Sequence, residues 1–132
     1  MIIRESYMQQ IRDFMDKPVV KVLTGVRRSG KSALLLLIID ALIKHGTRKE
    51  NIIHMNFESL RYEELKDFRR LYETISQRAT QTAGRIYILL DEIQEVAEWE
   101  KVVNSLRVDF DCDIYITGSN ARLLSGELAT LL

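Results

Sequence analysis

The feature that most constrains the fold is the segment Gly25–Ser32, which reads Gly-Val-Arg-Arg-Ser-Gly-Lys-Ser. It matches the pattern G-x-x-x-x-G-K-[ST] at every fixed position. An apolar run, Val19–Leu23, precedes it, and a long apolar stretch, Lys31–His45, follows it. A strand, a glycine-rich turn and a helix in this order form one βα unit, so the segment predicts an α/β fold with a parallel sheet.

Four short runs are rich in Val, Ile, Leu or Tyr and show little polar alternation. Strands that are covered on both faces have this pattern, which indicates a parallel sheet. Helical stretches separate the runs, so the order along the chain is that of βαβ units. The predicted strands are Val19–Leu23, Asn51–Phe57, Ile86–Leu90 and Ile114–Thr117, and the predicted helices are Lys31–His45, Tyr62–Thr82 and Trp99–Phe110.

A length of 132 residues predicts a single domain. Apolar residues spaced by three and four predict an N-terminal helix, Arg4–Asp16, which ends before Pro18, the only proline. Residues 1–18 are therefore assigned to this helix and its end, and residues 19–132 to the core of the domain.

Charge and composition exclude several classes of protein. Lys and Arg number 19, and Asp and Glu also number 19, so the zero net charge gives no support for nucleic acid as a partner. The one cysteine, Cys112, excludes an internal disulfide framework and favours a cytoplasmic location. The apolar run Ala33–Ile39 is too short to cross a membrane, and we expect no membrane association.

The chemistry of phosphate binding explains the spacing of the glycine-rich segment. Gly25 and Gly30 let the main chain turn and approach a phosphate without a clash at Cβ. Loop N–H groups and the positive end of the following helix then surround the anion. Lys31 is expected to reach the β- and γ-phosphates of a nucleotide, and the Ser32 hydroxyl to bind Mg²⁺. The predicted nucleotide-binding residues are Gly25, Val26, Arg27, Arg28, Ser29, Gly30, Lys31, Ser32 and Ala33.

Within that set, Arg27 and Arg28 have two interpretations. In the first they contact phosphate, shape the loop or meet a partner, and in the second they are solvated side chains.

A second motif follows the apolar run Ile86–Leu90, which ends in Asp91 and Glu92. Ligands of parallel sheets bind beyond the carboxyl ends of the strands, where this acidic pair is expected to lie. We expect Asp91 to hold Mg²⁺ through its water shell and Glu92 to polarise the attacking water. Gln94 occupies the position where the D-x-x-G motif of a GTPase has glycine, so the pattern argues against a GTPase, while Glu92 favours hydrolysis.

Polar residues also follow the last predicted strand, in the segment Thr117-Gly118-Ser119-Asn120. If this strand lies between the first and third strands, Thr117, Ser119 or Asn120 can face the γ-phosphate and report its presence. We assign this catalytic sensor role to Asn120. An ordinary turn with Ser119 or Asn120 as a helix cap is the alternative.

Three segments together resemble the prokaryotic AAA-type P-loop ATPases in which this domain is usually followed by a C-terminal domain of unknown function. They are Lys21–Ser32, Leu89–Gln94 and the segment from Ile116 to Glu127, which reads Ile-Thr-Gly-Ser-Asn-Ala-Arg-Leu-Leu-Ser-Gly-Glu. The resemblance implies ATP and Mg²⁺ as ligands and a parallel sheet of order 5-1-4-3-2. It also implies hydrolysis that drives a switch in a partner protein or in the C-terminal domain.

The chain stops at Leu132, where such ATPases continue. It is therefore expected to be an N-terminal fragment whose sheet has the order 1-4-3-2 and lacks the fifth strand. Strand 1 would then be a bare edge, and bare edges promote self-association. An arginine supplied from downstream would also be missing, so weak ATPase activity is expected of the fragment.

Two other functions remain open from the sequence alone. The Asp-Glu-Ile-Gln segment, residues 91–94, also fits a fragment of a DExx-type helicase, which DNA would stimulate. A nucleotide-gated switch that binds but does not hydrolyse ATP fits the same motifs.

Overall fold

The computed structural model describes residues 9, 12–13, 15–23, 28–118 and 129–130. The strands are β1 (Lys21–Leu23), β2 (Ile52–Asn56), β3 (Ile86–Asp91), β4 (Cys112–Thr117) and β5 (Ala129–Thr130). The helices are α1 (Arg28–Lys44), α2 (Phe68–Thr80) and α3 (Trp99–Asp109). Short 3₁₀ segments cover Lys49–Asn51, Leu60–Lys66 and Ile93–Glu95. None of the helices within these ranges is long and apolar enough to cross a membrane.

The strands form one sheet in the order β2-β3-β4-β1-β5, and every pair is parallel. The predicted order 1-4-3-2 of the first four strands is confirmed. Register places Lys21 opposite Tyr115 across β1 and β4, and Ile88 opposite Ile114 across β3 and β4. The carboxyl ends of β1, β3 and β4 therefore lie together at one edge of the sheet.

The prediction that the fifth strand is absent is wrong. Ala129 and Thr130 form a short strand that pairs with Lys21 and Val22 of β1. Because β5 pairs with β1 on that side, β1 is not an edge strand. The structure therefore gives no bare β1 edge through which the expected self-association could occur.

Helices cover both faces of the sheet, which makes a three-layer α/β sandwich. On one face, α1 packs through Leu35 and Ile38 against Leu89 and Tyr115. On the other face lie α2 and α3, whose buried residues contact alternate residues of the same strands. This second cluster includes Val22, Ile53, Leu71, Ile75, Ile88, Leu90, Val102, Leu106 and Ile116. Burial on both faces explains why the strands lack polar alternation.

Several predicted boundaries need correction. The predicted helix Tyr62–Thr82 is instead a 3₁₀ segment, Leu60–Lys66, followed by α2. Tyr62 has non-helical dihedral angles within the first segment, and Asp67 caps the start of the second. The other strands and helices differ from their predicted limits by one to three residues. Most of the predicted N-terminal helix lies outside the described residues; residues 12–13 are helical, and a turn follows at 15–16.

Candidate functional site

The two predicted motifs meet at the carboxyl edge of the sheet. Ser32, in the first turns of α1, donates a hydrogen bond from Oγ to Oδ2 of Asp91 at 2.6 Å. Asp91 is the last residue of β3 and is 1% exposed. The strand and the helix therefore bring a hydroxyl and a carboxylate into direct contact, although 59 residues separate them in sequence.

The hydroxyl of Thr117, at the end of β4, fixes the acidic pair from the other side. It donates a hydrogen bond to Oδ1 of Asp91 and accepts one from the main-chain N–H of Glu92 at 3.0 Å. Thr117 is fully buried. Both carboxylate oxygens of Asp91 are thus hydrogen-bonded, one to Ser32 and one to Thr117, which holds the group at a fixed position.

Glu92 has an unusual main-chain conformation for a residue with a side chain. Its φ of 56° lies in the left-handed region, which non-glycine residues adopt rarely and mostly at functional sites and turns. This conformation ends β3 and starts the 3₁₀ turn Ile93–Glu95. The side chain is 1% exposed, and Oε1 accepts a hydrogen bond from Nε2 of Gln94 at 2.7 Å.

His54 of β2, which is in register with Leu89, is close enough to Asp91 to feel its charge. Burial lowers the pKa of His54, and the attraction of the Asp91 carboxylate opposes that shift. Nε2 of His54 is buried and makes no hydrogen bond to any described residue.

The positive end of a helix also faces this edge. Helix α1 begins at Arg28, spans 17 residues and has no acidic side chain in its first turn. Free N–H groups at such an end favour an anion. Ser32 and Ala33 lie in the next turn, and both are half-buried.

The donor set at the edge fits Mg²⁺. A serine hydroxyl and an aspartate carboxylate are hard oxygen ligands, and Mg²⁺ is usually held by one or two such groups together with phosphates and water. In the described part of the chain, no cluster of three or more His, Cys, Asp or Glu side chains could hold a metal without such help. Ser32 and Asp91 are thus the residues that would hold the ion.

The other predicted site residues are placed as follows. Gly25, Val26, Arg27, Ser119 and Asn120 lie outside the described residues. Arg28, Ser29, Gly30 and Lys31 belong to the first turn of α1, next to Ser32. β4 does lie between β1 and β3, as the sensor prediction requires, but the hydroxyl of Thr117 is engaged by Asp91 and Glu92.

Sequence reasoning missed two contacts. In the sequence, Gln94 argues only against a GTPase, but in the structure its amide donates a hydrogen bond to the Glu92 carboxylate. The sequence offers Thr117 as a candidate phosphate sensor, but in the structure its hydroxyl is hydrogen-bonded to both Asp91 and Glu92. Neither contact has a signal in the local sequence, because the first depends on the left-handed conformation of Glu92 and the second on the register of β4 against β3.

A parallel sheet with this strand order, a helix that begins within the glycine-rich segment following β1, and an acidic pair at the end of β3 define the fold of the P-loop nucleoside triphosphatases. The chain belongs to the AAA domain family, whose model matches residues 17–132. Family membership assigns it a general nucleotide-binding function of the ATPase type.

Two curated relatives are longer than this chain. An uncharacterized protein of Haemophilus influenzae is 52% identical over 132 residues, which are 100% of this chain and 33% of the relative. An uncharacterized protein of Methanocaldococcus jannaschii is 38% identical over 118 residues, which are 86% of this chain and 24% of the relative. The chain therefore spans about a third or less of the relatives that it matches.

One solved structure, that of C. elegans PCH-2, is similar in fold. The TM-score is 0.55 at 15% identity, and the match covers 98% of this chain and 40% of that chain. At this level of identity the likeness concerns the fold alone.

Proposed function

We propose that the chain binds ATP with Mg²⁺ and hydrolyses it, and that hydrolysis drives a conformational switch in a partner protein or in a further domain. One observation carries the proposal. The 2.6 Å hydrogen bond between Ser32 and Asp91 joins the phosphate-binding motif to the acidic motif. A hydroxyl and a carboxylate so placed, at the positive end of a helix, suit a phosphate chain and its cation.

In this mechanism each side chain has a separate task. The ammonium group of Lys31 binds the β- and γ-phosphates, while Ser32 and Asp91 would hold Mg²⁺, which would supply positive charge beside the phosphates. Glu92 accepts a proton from the water that attacks the γ-phosphorus in line, and the products are ADP and phosphate. Asn120 contacts the γ-phosphate and senses its loss.

The Mg²⁺ site can be tested by measuring ATP affinity with Mg²⁺ and with EDTA. We expect Asp91→Asn and Ser32→Ala to weaken binding in Mg²⁺ but not in EDTA, because both residues act through the ion. Asp91→Asn also removes charge that would hold the ion, so we expect the rate of ATP hydrolysis to fall about 100-fold.

Asp40→Asn is the matched control. Asp40 lies on α1, as Ser32 does, but it is exposed and pairs with Lys44 in solvent. It should leave both affinity and hydrolysis unchanged. Equal loss of affinity in Mg²⁺ and EDTA for Asp91→Asn would show that Asp91 does not act through a cation.

The same assay separates the proposal from its alternatives. Stimulation of phosphate release by DNA would indicate a helicase-type motor. ATP binding without phosphate release by the full natural chain would indicate a switch that does not hydrolyse.

A further inference from the structure

The turn after β3 fixes the position of the Glu92 carboxylate before any ligand is bound. The main-chain N–H of Glu92 is held by Thr117 at 3.0 Å, and its carboxylate by Gln94 at 2.7 Å. The side chain is 1% exposed. A carboxylate with so little exposure and a hydrogen-bonded oxygen has few other orientations open to it.

The turn that carries Gln94 is itself rigid. The N–H of Glu95 donates to the carbonyl of Glu92 at 3.1 Å, and that of Val96 to the carbonyl of Ile93 at 2.9 Å. Ile93 and Val96 are buried in the core at 0% and 1% exposure. Because both ends of the turn are anchored, the amide of Gln94 is aimed at Glu92 by the main chain.

Among the described residues, Glu92 is the hydrogen-bond partner toward which the main chain aims this amide. An ionised carboxylate only accepts hydrogen bonds, so the NH₂ group of Gln94 has to face it. The amide oxygen of Gln94 is buried and accepts no hydrogen bond from any described residue. Within the described part of the chain, the hydrogen bond to Glu92 is thus the polar contact that orients this amide.

We propose that Gln94 is a positioning residue, which holds the carboxylate of Glu92 where it can polarise the attacking water. This inference rests on the proposed role of Glu92 in hydrolysis. Gln94 is suited to the task because it is a neutral donor beside two acidic residues. A carboxylate at position 94 would instead repel Glu92.

The test compares steady-state phosphate release and ATP affinity in the full natural chain, for the wild type and five variants. We expect Gln94→Ala to lower kcat about ten- to 100-fold, as for loss of a hydrogen bond to a charged group. Gln94→Glu, which has the same shape, should lower kcat at least as much. ATP affinity should stay at the wild-type value in both. Gln77→Ala, at an exposed glutamine on α2, is the control and should change nothing.

A double variant shows whether Gln94 acts through Glu92. Once Glu92→Gln has removed the carboxylate, adding Gln94→Ala should cause no further loss of kcat. A further loss equal to that of Gln94→Ala alone would overturn the inference, because the two residues would then act independently. Should Gln94→Ala fold poorly, as measured by thermal unfolding, Gln94→Glu provides the same comparison.

The remaining outcomes separate this inference from the proposed function. Wild-type activity of Gln94→Ala, beside an inactive Glu92→Gln, overturns the role of Gln94 alone. Wild-type activity of Glu92→Gln, or no phosphate release by the wild type, overturns the proposed function and the inference with it.

Discussion

At the scale of single residues, the most demanding feature outside the site is a buried ion pair at the amino end of the sheet. Lys21 of β1 is 0% exposed, and its ammonium group contacts the carboxylate of Asp113 on β4. It also donates to the carbonyl of Lys17 at 2.7 Å, and Tyr115 donates to Asp113 at 2.7 Å. Burial lowers the pKa of Lys21, and the contact with Asp113 opposes that shift. The pair ties the start of β1, the strand that leads into the glycine-rich segment, to β4.

Removing one member of this buried pair should lower the free energy of unfolding far more than removing one member of a similar pair on the surface. We expect Lys21→Met to lower the free energy of unfolding by about 3–5 kcal/mol, because Asp113 would remain buried without its counter-charge. Unfolding in urea measures this change.

Lys101→Met makes the same chemical change in an exposed pair. Lys101 contacts Glu98 at 2.6 Å, with side chains 67% and 49% exposed. Its loss should cost less than about 1 kcal/mol, because solvent screens the pair. Equal costs for the two variants would contradict the view that burial makes the Lys21 pair important.

The sequence could predict which residues share the carboxyl edge of the sheet but not how they contact each other. Ser32, Asp91 and Glu92 follow from two motifs and from the rule that parallel strands end at the same edge. The bond from Gln94 depends on the left-handed conformation of Glu92, and no local sequence pattern encodes it. The contacts of Thr117 depend on the register of β4 against β3.

At the scale of elements, Asp67 decides where α2 begins. Its side chain accepts a hydrogen bond from the N–H of Arg69 at 2.9 Å, in the first turn of the helix. The charged segment Tyr62–Thr82 is predicted as one continuous helix. The residue pattern alone does not show where the 3₁₀ segment ends and α2 begins, because side chains repeat at similar intervals along both kinds of helix.

Asp67→Ala should destabilise the protein by about 1 kcal/mol, the usual cost of losing such a cap. The free energy of unfolding in urea again measures it. Glu73→Ala, at an exposed position of the same helix, should change stability by less than about 0.5 kcal/mol. A loss for Asp67→Ala no greater than that for Glu73→Ala would show that the cap does not stabilise α2.

Strand β5 is a second element that the sequence pattern could not predict. A strand of two residues, Ala129–Thr130, is too short to have a periodic pattern. It exists because the main chain pairs with Lys21 and Val22 of β1, a contact across more than 100 residues. Such pairing is a property of the sheet and not of the local sequence. The longer strands were predictable because their burial on both faces leaves a continuous apolar run.

At the scale of the whole molecule, the two ends of the sheet have different chemistry. The carboxyl end carries Ser32, Asp91 and Glu92, while the amino end carries the Lys21–Asp113 pair. A cavity of about 830 Å³ also lies at the amino end, between α3 and the residues that precede β1, β3 and β4. The buried ion pair and the proposed nucleotide site therefore lie at opposite ends of the sheet, and apolar clusters pack on both of its faces.

Phosphate release by the full natural chain, compared between the wild type and Glu92→Gln, tests the central claim most directly. The substitution keeps the shape of the side chain and removes the base, so ATP affinity should be unchanged while hydrolysis falls by about 100-fold or more. Wild-type phosphate release by Glu92→Gln would contradict the account.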